Sequence, residues 1–134
     1  MITKEKLLSK VLPKEQAQEI YNQWQESHFD YDNRQYTYEE IPSNILILYN
    51  HYTYEDYSGY GHVICYDTEK DSFFEVFGSH CSCYGLEGQW EPEYCTIEEM
   101  VHAANLRIES EKERGWTYSN DGELICLKEF LEIG

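Results

Sequence analysis

Positive charge is what this chain has least of. Ten lysines and arginines stand against twenty-six acids in 134 residues, a formal net charge of −16. Such a chain lacks the cationic footprint that nucleic acid demands, and an anionic membrane surface repels it equally. No apolar run reaches bilayer-spanning length. Residues 1–12 carry lysines but no apolar core and no small-residue cleavage site, which predicts no secretory leader and a cytoplasmic location. There the five cysteines serve as thiols or ligands rather than disulfides. Prolines number only three, and no linker or repeat divides the chain, so one domain over residues 1–134 is expected.

Catalytic signatures are also missing. There is no phosphate-binding glycine loop with its lysine and hydroxyl, no His-Glu-x-x-His, no Gly-x-Ser-x-Gly and no calcium loop. Acid pairs such as Glu39-Glu40, Glu55-Asp56 and Glu98-Glu99 occur, but none has the apolar setting that shifts a carboxyl for acid–base work. A non-enzymatic role is expected.

What is present is acid and tyrosine, distributed unevenly. Residues 25–101 hold two bases and sixteen acids, a net −14 of the total −16. Within them Tyr36-Thr37-Tyr38-Glu39-Glu40 and Tyr54-Glu55-Asp56-Tyr57 interleave rings with carboxylates. Spaced carboxylates can copy the charge pattern of a phosphate backbone, and tyrosines give rigid contact area at low entropy cost. The bland alternative is a solvated acidic face over half-buried rings.

Periodicity predicts an α+β fold: a three-stranded antiparallel meander packed against N-terminal and C-terminal helices. A helix is expected over residues 4–12 behind a Thr3 cap. A second is expected through Ala17, Ile20, Tyr21, Trp24 and His28. Residues 29–44 lack a period and read as a loop or irregular arm. The strands are Ile45 to Tyr49, extending toward Tyr54, then Gly61 to Asp67 and Ser72 to Phe77, joined by short polar turns. Thr96-Ile97-Glu98-Glu99 is a capping box that opens a helix with Met100, Val101, Ala104 and Ile108 on its apolar face. That helix is expected to end at Lys112, Arg114 and Gly115. Leu124, Leu127, Phe130 and Leu131 predict a last helix, with a strand over 123–128 as the alternative.

The densest stretch is Gly78-Ser79-His80-Cys81-Ser82-Cys83-Tyr84-Gly85-Leu86-Glu87-Gly88-Gln89-Trp90, which the glycines mark as a compact loop. It is expected to brace the sheet against the helix after Thr96. His80, Cys81, Cys83 and Cys95 are four zinc-type donors within sixteen positions. Their Cys-x-Cys spacing departs from the paired knuckles of structural zinc sites, so no cofactor is expected and zinc is the alternative. A cysteine nucleophile beside His80 is disfavoured, because Glu75, Glu87, Glu91 and Glu93 would raise a thiol pKa.

The run from Gly78 to Trp90, followed by Glu91-Pro92-Glu93 and preceded by acidic, tyrosine-rich strands, resembles a small family of phage and prophage proteins. That family shares a Ser-His-Cys-Ser-Cys-Tyr-Gly-Leu-Glu core ending in Gln-Trp. The likeness covers roughly residues 52–104 and implies phage origin, and it carries no catalytic residue with it. Phages encode small acidic inhibitors of host defence, including DNA mimics and anti-CRISPR proteins, an analogy of class and charge. The expectation is therefore an inhibitor, acting in the host cytoplasm, that binds a basic, nucleic-acid-handling defence protein. Its contacts would be Tyr36, Tyr38, Glu39, Glu40, Tyr54, Glu55, Asp56 and Tyr57. The alternatives are a zinc- or thiol-dependent module at the His80–Cys95 loop and a phage structural or assembly protein.

Overall fold

In the computed structural model, residues 1–54, 57–113 and 122–133 are described. Helix α1 (Lys4–Leu8) starts where the Thr3 hydroxyl accepts the Lys6 N–H at 3.2 Å. It is shorter than its apolar period predicts, because the Leu12 N–H is taken by the Ile47 carbonyl at 2.9 Å. That bond ties the chain to the sheet and ends the helix. Pro13 then opens α2 (Lys14–Asn22), which buries Ala17 and Ile20. The apolar stripe runs on to Trp24, but the helix does not. The amides of Gln23 and Trp24 bond three residues back, the tightened geometry of a last turn. His28 accordingly falls in a strand, not in the helix.

Residues 28–37 form an antiparallel hairpin, β1 (His28–Asp30) with β2 (Gln35–Thr37), where an irregular arm was expected. Four further strands, β3 (Ile45–Tyr52), β4 (Ser58–Asp67), β5 (Ser72–Cys81) and β6 (Glu93–Cys95), lie in the order β3-β4-β5-β6, all antiparallel. The meander thus has a fourth strand, and the expected three-stranded sheet is corrected on this point. β6 is three residues long behind Pro92, too short to show an alternation of its own. The fold is α+β, with helices and antiparallel sheets.

Both faces of the large sheet are buried. Leu48, Ile64, Tyr66 and Phe73 pack against Leu7, Met100, Ala104, Leu127 and Leu131. These come from α1, from α3 (Ile97–Glu113), and from α4 (Gly122–Phe130) with the residue after it. On the other face Ile47, Val63, Cys65, Phe74 and Val76 meet Ala17, Ile20, Trp24 and Leu86. A sheet covered on two sides needs apolar residues at both parities, which is why β3 and β4 read as unbroken hydrophobic runs. The register of β3 on β4 shifts between Ile47 and Tyr49, so Leu48 and Tyr49 join the same cluster. Helix α3 begins at the expected capping box, with Glu99 N–H on the Thr96 hydroxyl and Thr96 N–H on the Glu99 carboxylate, both 3.1 Å. Its predicted end at Arg114 and Gly115 lies outside the described residues. The last apolar run is the helix α4. Among the described residues, no helix is long and apolar enough to cross a membrane.

β5 continues to Cys81, so Gly78, Ser79 and His80 are strand residues rather than loop. Gly78 faces Gly61 across the β4–β5 ladder, and the Trp24 indole lies over both. The segment that follows packs Leu86 and Trp90 beside Trp24 on the α2 face. The predicted brace against α3 is therefore corrected: α3 covers the opposite face. Gln89 joins this segment to the strand. Its amide accepts the Ser79 N–H at 2.8 Å and donates to the Ser79 carbonyl at 2.7 Å, standing in for a neighbouring strand.

Candidate functional site

The β1–β2 hairpin lies outside both hydrophobic clusters. Its turn is built by Asp30, which accepts the Asp32 N–H at 3.0 Å, the Asn33 N–H at 3.3 Å and the Asn33 side-chain amide at 2.8 Å. The Asn33 side-chain bond, then the backbone bonds, hold the Asp30 carboxyl below its ordinary pKa. Arg34 completes the turn with φ of 53°. Beyond it, Phe29 packs edge-on to Tyr31 at 4.9 Å and to Tyr36 at 5.2 Å between ring centroids. These rings remain 41%, 83% and 65% exposed respectively. A ring cluster that shields itself so little from water is not a core.

The segment after β2 is held by two glutamines, Gln18 on α2 and Gln25 beyond its end. Gln18 and Gln25 both donate to the Glu39 carbonyl at 2.9 Å, the Glu39 N–H donates to Gln25 at 2.9 Å, and the Ile41 N–H donates to Gln18 at 2.8 Å. Backbone anchoring leaves the side chains of Glu39 and Glu40 outside, both exposed, with Tyr38 and Glu40 lining a shallow groove against α2. Tyr36, Tyr38, Glu39 and Glu40 are all exposed, and Tyr36 belongs to the hairpin rings.

The second predicted group sits elsewhere. Tyr54 lines a different groove, at the end of β3 and β5, and Tyr57 is exposed in the β3–β4 turn with φ of 67°. Glu55 and Asp56 lie outside the described residues. The Tyr54 ring is parallel to the His80 ring at 5.5 Å, and Tyr52 is parallel to it at 4.5 Å. Gly59 leaves the space in which His80 Nε2 meets the Thr53 carbonyl at 2.5 Å. The ring of His80 is thus committed to packing and to a backbone bond.

Of the four zinc-type residues, His80, Cys81 and Cys83 line that groove and Cys95 lies apart. Cys95 on β6 faces Phe73, seven positions along β5 from His80, roughly 23 Å at strand rise. Burial, and then Glu75, Glu99 and Glu93, push the Cys95 thiol up to about 12. No group of three or more His, Cys, Asp or Glu able to hold a metal occurs among the described residues. Cys81 and Cys83 do come together. The Cys83 N–H donates to Cys81 Sγ at 3.3 Å, and the Cys81 N–H donates to the Tyr84 carbonyl at 3.0 Å, closing the turn. The backbone N–H of Cys83, and next that of Tyr84, hold the Cys81 thiol below its ordinary pKa. The nearby acids were expected to raise it; the opposing effect is burial instead, and the amide bonds outweigh it.

A third cluster was not foreseen. His62 is fully buried, with Nδ1 2.7 Å from Glu123 and Nε2 3.1 Å from Glu75. Tyr49 donates its hydroxyl to Glu123, and Arg107 Nη1 donates to the same carboxylate at 3.1 Å. Phe77 stacks on the imidazole at 4.1 Å. Burial disfavours the imidazolium, yet the bonds to Glu123 and Glu75 outweigh it and hold His62 above its ordinary pKa. Burial likewise raises Glu123, and the His62, Tyr49 and Arg107 contacts more than reverse this. His62 thus lies between two carboxylates that favour its charged form. The signal was a histidine sharing a strand face with Ile64 and Tyr66, since a buried polar group requires partners. Their identity, 61 positions away in the case of Glu123, could not be read from spacing. The cluster joins β3, β4, β5, α3 and α4.

Comparison with family models, with curated proteins and with solved structures finds no match.

Proposed function

We propose that this chain is a binding protein whose hairpin patch captures a basic, nucleic-acid-handling protein. The observation that carries the reading is the exposed Phe29–Tyr31–Tyr36 cluster on a hairpin whose following residue Glu39 is held by Gln18 and Gln25. Around it, residues 28–40 hold four acids and one arginine. Anchored rings supply the centre of an interface, and the carboxylates steer a cationic partner and select against anionic ones. The resemblance to phage proteins favours a host defence factor as that partner. Tyr54 and Tyr57 belong to a separate patch and are secondary in this reading.

The test is biolayer interferometry of the full chain against purified bacterial nucleases and DNA-binding proteins, at about 50 and about 300 mM salt. The expected result is a partner whose binding weakens with salt and is displaced by duplex DNA. Tyr31→Ala with Tyr36→Ala should weaken that binding about 100-fold or more. Absence of any partner in such a panel, or binding indifferent to salt and to the ring deletions, would overturn the reading.

A further inference from the structure

The groove at the end of β3 and β5 holds two thiols, three parallel rings and two carboxylates, and the hairpin reading uses none of them. We infer that Cys81 and Cys83 form a thiol–disulfide exchange pair that accepts positively charged disulfides.

The geometry begins with the turn. The bond from Cys81 N–H to the Tyr84 carbonyl folds Ser82 and Cys83 back over the end of β5. Cys81 Sγ is 3.3 Å from the Cys83 backbone nitrogen. The Cys83 Cβ is two bonds from that nitrogen, so the two thiols are close neighbours in one turn. The other cysteines have no such neighbour: Cys65 is buried in the sheet, Cys95 is on β6, and Cys126 is on α4. Cys83 is exposed and Cys81 half-buried, an arrangement that separates a held nucleophile from a mobile second thiol. The amides at Cys81 stabilise its thiolate, the reactive form.

The walls of the groove set the choice of substrate. Glu26 and Glu87 line it together with Tyr52, Tyr54 and His80. Carboxylates repel an anionic disulfide and attract a cationic one, and the exposed Tyr54 ring offers a face to an ammonium group. A small disulfide carrying amines, or a disulfide in a basic peptide, fits this chemistry better than glutathione disulfide does.

The exchange runs in two steps. The Cys81 thiolate, its proton already released to solvent, attacks one sulfur of the incoming disulfide. A Cys81–sulfur bond forms, the incoming S–S bond breaks, and the first thiolate departs and takes up a proton. Cys83 then releases its proton and attacks Cys81 Sγ, closing the Cys81–Cys83 disulfide and expelling the second thiolate, which is protonated in turn. Two cysteines lose two electrons, and the incoming disulfide is reduced to two thiols. A disulfide spanning one residue is strained and readily reduced again, so the cycle is reversible.

This inference is independent of the hairpin reading, since no hairpin ring takes part. The reduced full-length protein is treated with cystamine or with glutathione disulfide and followed by intact mass and peptide mapping. The expected product is an internal Cys81–Cys83 disulfide, formed about tenfold or more faster with cystamine. Cys83→Ser should stop at a mixed disulfide on Cys81, formed about tenfold faster than the adduct on exposed Cys126. Cys81→Ser should abolish the fast reaction. Absence of the internal disulfide, or a Cys81 adduct in Cys83→Ser no faster than that on Cys126, would overturn the pair. Equal rates with the two disulfides would overturn its charge preference. Circular dichroism of both serine variants separates these outcomes from misfolding, and conservative changes in this surface turn should leave the spectrum intact.

Discussion

A methyl group added at Gly78 would lie 2.6 Å from Trp24 Cζ3 and 3.0 Å from Cη2. The indole is wedged between α2 and the sheet and has little room to retreat. Gly78→Ala is therefore expected to cost about 1–3 kcal/mol of stability, measurable as a lowered urea midpoint. Gly59→Ala should cost at least as much, since its new carbon would lie 2.0 Å from the Thr53 carbonyl oxygen. Sequence reading finds these glycines but gives them the wrong task. In the stretch 78–90 it sees turn-makers, and Gly88, with φ of 77°, is one. Gly78 is instead a strand residue whose missing side chain is filled by a tryptophan 54 positions earlier in the chain. Nothing local distinguishes the two cases.

Elements that carry strong local signals match expectation, and those fixed by distant contacts do not. The capping box places α3, and the spaced leucines place α4. The length of α1 depends instead on Ile47, and β6 exists only because β5 offers it an edge. How α4 is held is the clearest instance, because Glu123 ties it to a histidine on β4. Replacing Glu123 with Gln leaves buried His62 and Arg107 short of a counter-charge and should destabilise the fold by about 3–5 kcal/mol. The network also predicts a pH signature. With His62 held above its ordinary value, its contribution is complete below about pH 6.5 and is lost as pH rises through the folded pKa. With Glu123 held below its ordinary value, its contribution is complete above about pH 4.3 and is lost as pH falls through the folded pKa. The stability gap between the native protein and His62→Gln should therefore be widest between roughly pH 4.5 and 6.5, as urea titrations across that range will show. The hairpin behaves oppositely. Its side chains lie outside both clusters, so replacing residues 28–37 with a short glycine–serine link should shift the unfolding midpoint by less than about 1 kcal/mol.

At the scale of the molecule, the twenty-six acids of the chain far outnumber its ten lysines and arginines. Self-repulsion among the outer carboxylates works against the compact state and is screened by salt. Raising sodium chloride from about 0.02 to about 0.2 M is expected to lift the thermal midpoint by about 4 °C, the equivalent of about 1 kcal/mol. A scanning calorimetry series that stays flat or falls would show that the charges are already spread too widely to interact. Composition makes this behaviour legible without coordinates. It does not reveal that the tyrosine–acid segments fall into two patches, which depends on where the hairpin is tied down.

The Gln89 amide on Ser79 has a consequence for the protein in crowded solution. A strand margin left open recruits other chains edge to edge, and filaments grow from such margins. One side-chain amide here occupies the donor and acceptor that a second molecule would seek. Gln89→Ala exposes them, and concentrated samples of that variant should scatter light where the native protein remains clear.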